Sequence, residues 1–277
     1  MIPPDALGPL REFPGLIATV ITTGSEDPHF GQSISDLRSW NDRNNFHKVE
    51  YRRFHSPFVE VGRDEVVEHA LKERYAWLLM IDADAAPFPP DSLARMLHTA
   101  FTTHPDADVV GAYCQLKHAP YLPTLDSGSG TWEVHYPGEG VIPAIRTGGH
   151  FLLVKPAICT RFGPPWFRTR RTMRPIDALA EIDNYAHIKM HGRNPLTETD
   201  AWQHLLENAK SDAGGGVSTV GEDSGFSDAV KAAGGHIYVD CNLWIGHVGK
   251  RVVTPDMLDE EMRKREAQMR AAVGIYE

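Results

Sequence analysis

The strongest constraint on this chain is a rhythm that repeats through its first half, in which short continuous apolar runs alternate with segments whose apolar residues recur at helical spacing. Leu16-Ile17-Ala18-Thr19-Val20-Ile21 lacks polar alternation, the pattern of a strand covered on both faces. Phe30, Ile34 and Leu37 then share one helical face. A second strand is expected from Val49 to Phe54, and Val66, Val67, Ala70 and Leu71 mark the next helix. Trp77-Leu78-Leu79-Met80-Ile81 is the most strand-like stretch of all. Pro89-Pro90-Asp91 breaks the chain, Leu93, Met96, Leu97, Ala100 and Phe101 resume the helical period, and Val109 to Tyr113 reads as a fourth strand. This βαβαβαβ order predicts an α/β fold, a mostly parallel sheet flanked by helices, in which ligands gather at the carboxyl ends of the strands.

The second half is less regular. Trp132 to Tyr136 and Phe151 to Val154 are expected strands. The polar stretch 168–216 is too long for a plain loop, so short helices are expected around Ile182 to Met190 and Trp202 to Leu206, with Gly214-Gly215-Gly216 as an exit. From Thr254 a terminal helix is expected, with Pro255 in its first turn and Asp259/Arg263, Glu260/Lys264 and Glu261/Arg265 spaced four apart. A chain of 277 residues can hold all of this as one continuous domain.

The formal charge of -9 disfavours polyanions at long range, so a nucleic acid or an anionic membrane would need a local basic patch. Cys114, Cys159 and Cys241 are odd in number and far apart, which argues against a disulfide framework or a thiolate zinc site and for a reducing, cytoplasmic setting. No run approaches the roughly 18 apolar residues of a membrane span, and Met1-Ile2-Pro3-Pro4-Asp5 lacks the pattern of an export signal.

Chemistry concentrates at Ile81-Asp82-Ala83-Asp84, where the strongest strand ends. Side chains two apart on extended backbone point the same way, so both carboxylates can face one ligand beyond the sheet edge. Oxygen ligands of this kind suit Mg²⁺ or Mn²⁺, ions that also take substrate phosphates. Taken alone, the pair more often describes two acids that solvate a loop and help start the next helix. The order of the remaining motifs is more telling: Thr147-Gly148-Gly149-His150-Phe151-Leu152-Leu153-Val154, then Gly163-Pro164-Pro165-Trp166-Phe167, then Gly221-Glu222-Asp223-Ser224-Gly225-Phe226, then Gly246-His247-Val248-Gly249.

With those motifs, the sequence resembles GT-A glycosyltransferases, notably the small family 2-like members of bacteriophages, over roughly residues 16 to 250. The resemblance implies a Rossmann-like GT-A domain with a nucleotide-sugar half at about 14–115, an acceptor half at about 116–250 that includes the 168–216 insert, and a C-terminal helix at 254–273. It implies Asp82 and Asp84 at the metal and the donor's ribose and phosphates, and His247 as a third metal ligand. Imidazole makes Mn²⁺ at least as good an occupant as Mg²⁺. It further implies Asp223 as the base of an inverting transfer, supported by Glu222. Thr22, Thr23 and Gly24 would hold the nucleotide base, Arg63 would lie near the nucleotide, and Gly148 and Gly149 would let backbone approach the sugar. Gly62-Arg63-Asp64 departs from the arginine-asparagine pairing usual in the family.

Arg168, Arg170, Arg171 and Arg174 stand beside Trp166 and Phe167 as a basic cluster in an acidic chain. Such a cluster can grip a nucleic-acid backbone, and by analogy a hydroxymethylated pyrimidine in phage DNA becomes a candidate acceptor. A solvated loop explains the cluster as well. His187 and His191 lie four apart with Asp183 before them, but a zinc site would need a further ligand. Two other readings stay open: a nucleotidyltransferase acting on a nucleoside triphosphate, and a non-catalytic protein that binds sugar nucleotides.

Overall fold

The computed structural model describes residues 4–22, 27–116, 123–128, 138–168, 170–173, 217–249, 252–253, 257 and 263. The chain divides into two compact units, one made of Met1–Arg168 with Asp223–Glu277, the other of Thr169–Glu222.

In the larger unit, helix α1 (Pro4–Leu10) precedes strand β1 (Gly15–Ile21), followed by α2 (Pro28–Arg43), β2 (Val49–His55), α3 (Val59–Lys72), β3 (Trp77–Asp82), α4 (Ser92–His98) and β4 (Val109–Tyr113). The expected alternation is therefore present element by element. Every residue of β1 and β4 is buried, as the unbroken apolar runs require. Helix α2 starts where Asp27 caps it, its carboxylate accepting from the His29 N–H at 2.8 Å with Pro28 at the first turn. Its buried face is Phe30, Ser33, Leu37 and Asn41, one per turn. Helix α4 passes into a π turn over Thr99–Thr103, which extends the apolar stripe expected from Leu93 to Phe101.

Beyond β4 come β5 (Leu125–Asp126), β6 (Val141–Ala144), β7 (Arg146–Thr147) and β8 (Phe151–Val154). The smaller unit contributes an antiparallel pair, β9 (Arg170–Met173) and β10 (Val217–Val220), with Val217 opposite Met173. Helix α5 (Glu222–Ala232), β11 (Ile237–Trp244) and the short β12 (His247–Val248) and β13 (Val252–Val253) follow. The strand expected at 132–136, the helices expected around 182–190 and 202–206, and nearly all of 254–273 lie outside the described residues, as do Arg174, His187 and His191.

Seven strands form the main sheet in the order β2-β1-β3-β8-β4-β11-β6. β1 pairs parallel with β2 and β3, and β4 with β11; β8 and β6 run against their neighbours. Five of the seven thus share a direction, and the α/β expectation holds. Strand alternation sends Ile17, Leu79, Ile81, Phe151 and Leu153 to a core with α1, α2 and α4. Leu16, Ala18, Leu78, Met80, Leu152 and Val154 go to a second core with α3 and α5.

The feature that positions the site is β8. The sequence places it after β4, yet it inserts antiparallel between β3 and β4, with Ile81 opposite Phe151 and Leu78 opposite Val154. A strand that starts where its neighbour ends carries the residue before it to the same sheet edge. That residue is His150, whose carbonyl accepts from the Asp82 N–H at 3.0 Å. Cys114, Cys159 and Cys241 are buried and unpaired. No helix among the described residues is long and apolar enough to cross a membrane.

Candidate metal centre at the end of strand β3

Asp82 closes β3, and Asp84 lies two residues on, in a segment fastened to the far end of the chain. The Val248 N–H donates to the Asp84 carbonyl at 2.9 Å, Ala86 N–H to Gly246 O at 3.0 Å, and Gly246 N–H to Pro87 O at 2.8 Å. Ala85 and His247 form a bridge within this ladder. Glycine is required at 246, because a Cβ there would collide with the Ala86 carbonyl and the Pro87 ring. These bonds set His247 against Asp84, with Nε2 3.8 Å from an Asp84 oxygen.

His150 reaches the same point from β8. Its Nδ1 stands 3.5 Å from Asp82 Oδ2 and 3.5 Å from Asp84 Oδ1, and its ring lies 3.9 Å, centre to centre, from that of His247. The second nitrogen of each ring faces a backbone carbonyl: His150 Nε2 lies 3.1 Å from Gly246 O, and His247 Nδ1 lies 3.0 Å from Gln115 O. A carbonyl only accepts, so those nitrogens carry the protons. In the neutral rings, His150 Nδ1 and His247 Nε2 are left with lone pairs directed at carboxylate oxygens. Nδ1 of His150 is buried and makes no hydrogen bond.

Lone pairs facing carboxylates suit a cation placed between them. One divalent ion satisfies all the acceptors at once. Ligand atoms of Asp84, His150 and His247 lie within 4.8 Å of one another, and donation of the other ring N–H to a carbonyl is the usual support of a metal-bound histidine. The residues fit a metal ion.

Asp82 reaches the same point and also pairs with Arg63. Its Oδ1 accepts from Arg63 Nη2 at 2.7 Å, in an ion pair whose arginine side chain is only 3% exposed. Burial pushes the Asp82 carboxyl up, but the Arg63 charge in contact with it holds the group well below the usual carboxylate range. Arg63, expected near the nucleotide, faces inward because α3 buries Gly62, Arg63, Val66 and Val67 against the sheet. Its guanidinium also lies over the Phe167 ring, 5.5 Å from the centre, and takes the space that a Cβ at Gly149 would fill. Asp64 accepts from the Trp166 and Phe167 N–H groups at 2.9 and 2.8 Å and so anchors that loop.

Asp223 joins the same neighbourhood through backbone. Its Oδ2 accepts from the Gly149 N–H at 3.3 Å and Oδ1 from the Ser224 N–H at 2.6 Å, while Ser227 Oγ donates to the Asp223 carbonyl at 2.9 Å. Gly148 N–H is held by Thr124 O at 2.7 Å. Glu222 is the last residue of the smaller unit and opens the helix that Asp223 continues. Thr22 is exposed at the end of β1; Thr23 and Gly24 lie outside the described residues. Arg168 turns its guanidinium onto the Pro165 and Pro164 carbonyls, at 2.9 and 3.2 Å. Arg170 and Arg171 belong to β9.

The structure therefore brings Asp82, Asp84, His247 and, through Gly149, Asp223 to one sheet edge, and adds His150, to which the sequence reading gave no role. The signal for His150 was a lone histidine between two glycines and an apolar strand. It gains meaning only once that strand is seen to lie against β3.

No protein-family model and no curated protein matches the chain. Solved structures do. The crystal structure of A197 from STIV superposes with a TM-score of 0.50 at 15% identity, over 88% of this chain and 91% of that one. The chain shares that fold. A glycosyltransferase involved in glycosylation of the major capsid of PBCV-1 is also similar, at 12% identity and a TM-score of 0.32, over 91% of this chain and 99% of that one. That second likeness is too slight to bear on the fold.

Proposed function

We propose that the chain is a metal-dependent glycosyltransferase that moves a sugar from a nucleotide-diphosphate donor to an acceptor hydroxyl. The observation that carries this reading is the meeting of Asp84, His150 and His247 with the Asp223-bearing helix at the carboxyl end of β3, the edge where α/β sheets bind ligands. A divalent ion such as Mn²⁺ or Mg²⁺ bound there supplies positive charge for a departing diphosphate, which an acidic chain otherwise repels. Asp84, His150 and His247 would hold it. Asp82, fixed as an anion by Arg63, faces the ribose and phosphates. Gly148 and Gly149 leave room for the sugar, and Thr22 stands on the base side.

Asp223 is oriented by two backbone N–H groups and keeps further lone pairs on each oxygen. It takes the proton of the attacking hydroxyl in an inverting transfer, and it needs that hydroxyl within hydrogen-bond reach. DNA carrying hydroxymethylated pyrimidines is one acceptor to try.

The deciding experiment is a donor-hydrolysis screen over nucleotide sugars with Mn²⁺, read by chromatography of the released nucleotide. Asp84→Ala is expected to abolish both hydrolysis and transfer. Asp223→Ala is expected to keep donor binding and lose transfer. Full activity in the Asp84 variant would reject the assignment, and release of pyrophosphate from a nucleoside triphosphate would make the chain a nucleotidyltransferase.

A further inference from the structure

We propose that the cleft between α2 and the edge strand β2 is a phosphate site, separate from the metal-bearing sheet edge, that takes free phosphate or the phosphate of a small monoester. The inference needs nothing from the sugar chemistry proposed above.

β2 ends the main sheet, and β1 stands between it and β3. Strand alternation turns Thr19 of β1 and Tyr51 and Arg53 of β2 toward α2, which brings Phe30, Ile34 and Arg38 to the same cleft. The cleft opens to solvent and encloses roughly 340 Å³. That is the low end of the range of roughly 300 to 1,000 Å³ for ligand pockets, so it suits one small anion better than a nucleotide.

Three observations select an oxyanion. First, the lining carries arginines and no carboxylate, in a chain whose net charge is -9. Arg52 also lines the cleft, but its guanidinium meets His69 at 3.1 Å and Glu50 at 3.8 Å, which leaves Arg38 and Arg53 as the cations on the α2 side. The acids along α2 do not cancel them: Asp36 accepts from Gln32 at 2.9 Å, and Asp42 lies one turn past Arg38. Second, Arg38 is held in place. Its guanidinium lies over the Tyr51 ring, 4.4 Å from the centre, and the wholly buried Asn41 donates to the Tyr51 oxygen at 2.6 Å. Stacking uses the flat face of a guanidinium and leaves its N–H edge for two phosphate oxygens. Third, Thr19 is only 4% exposed, and among the described residues its hydroxyl makes no hydrogen bond. Buried hydroxyls normally have a partner, and valine would fill the same strand position if the cleft held nothing polar. A phosphate oxygen in the cleft accepts that proton.

The test is calorimetric titration of the full chain, stripped of metal, with inorganic phosphate and with glycerol 3-phosphate. Binding of at least one of them at 1:1, with a Kd below about 10 mM, is expected; heat from neither overturns the inference. The tighter of the two names the source of the phosphate. Arg38→Met is expected to weaken binding about tenfold or more, and Arg38→Lys, which keeps the charge and loses the fork, about threefold or more. Thr19→Val is expected to weaken it about threefold or more, in a chain whose melting is unchanged. Arg43→Met removes the same charge from α2 outside the cleft and is expected to stay within about threefold. A loss there as large as in Arg38→Met makes the binding general electrostatics and overturns the site. Displacement of phosphate by a nucleoside diphosphate without metal overturns its separateness. Phosphate binding in a chain that hydrolyses no donor leaves this site standing and retires the glycosyltransferase reading. Donor turnover without phosphate binding does the opposite.

Discussion

Asp82, about a quarter exposed, and Asp240, buried, are two carboxylates in the same sheet, and they are served in opposite ways. Asp240, in β11, is 5% exposed and accepts from the Asn242 N–H at 2.9 Å. Burial pushes its carboxyl up, and the backbone donor with the more distant Arg95 charge only partly offsets this. Asp64 behaves alike, raised by burial despite the Trp166 and Phe167 N–H groups. Asp82 feels the same burial but is held low by a guanidinium in contact. In Asp64 and Asp240 the backbone N–H groups only partly offset burial, whereas the guanidinium in contact with Asp82 outweighs it. Asp64 and Asp240 fasten a loop and a strand irregularity, whereas Asp82 is kept as an anion at the edge where the candidate centre lies.

The sharpest way to break this contrast is Arg63→Met, which leaves the half-buried Asp82 anion without its cation. A loss of about 3 kcal/mol is expected in urea denaturation, and adding Asp82→Asn should restore at least half of it. A single-variant loss below about 1 kcal/mol would erase the distinction between the two carboxylates. Next in size is Gly246→Ala, which forces a Cβ into the Ala86 carbonyl and Pro87. It is expected to cost about 2 kcal/mol by thermal or chemical melting, and to weaken Co²⁺ binding by separating His247 from Asp84.

Acid titration then separates the two signs. The Asp82 carboxyl is depressed on folding, so its contribution is full above the unfolded value of about 3.9 and is lost as pH falls below it toward the folded value. Asp82→Asn should flatten the acid limb of a stability-against-pH curve in that window. Asp240 has the opposite sign: its folded carboxyl is raised, so ionisation costs stability above the folded value and the cost disappears as pH falls through it. Asp240→Asn should therefore be neutral or stabilising by up to about 1 kcal/mol at pH 7, with the difference vanishing in mild acid. A large loss at pH 7 would show that its charge supports β11 after all.

Much of the larger unit was legible before any coordinates. The runs at 16–21, 77–81 and 109–113 became β1, β3 and β4 because an unbroken apolar stretch between helical segments can satisfy both faces only in a sheet interior. The pair Asp82 and Asp84 was visible as chemistry because it ends the strongest of them. The inward turn of Arg63 was not, since a charged residue early in a helix reads as surface until its partner is known. Asp64 likewise looked like a lost contact and turned out to be an anchor.

By itself, then, the sequence determined the strands and helices from β1 to β4, strand β8, and that a carboxylate pair stands at a strand end, because these follow from periodicities of two and 3.6 residues that are local. Only the tertiary structure decided that β8 runs antiparallel between β3 and β4, that the 246–248 segment laces onto 84–87, and so that His150 and His247 flank Asp84. Those pairings join residues far apart in the chain, and they are chosen by how the whole sheet buries its two faces rather than by any nearby pattern.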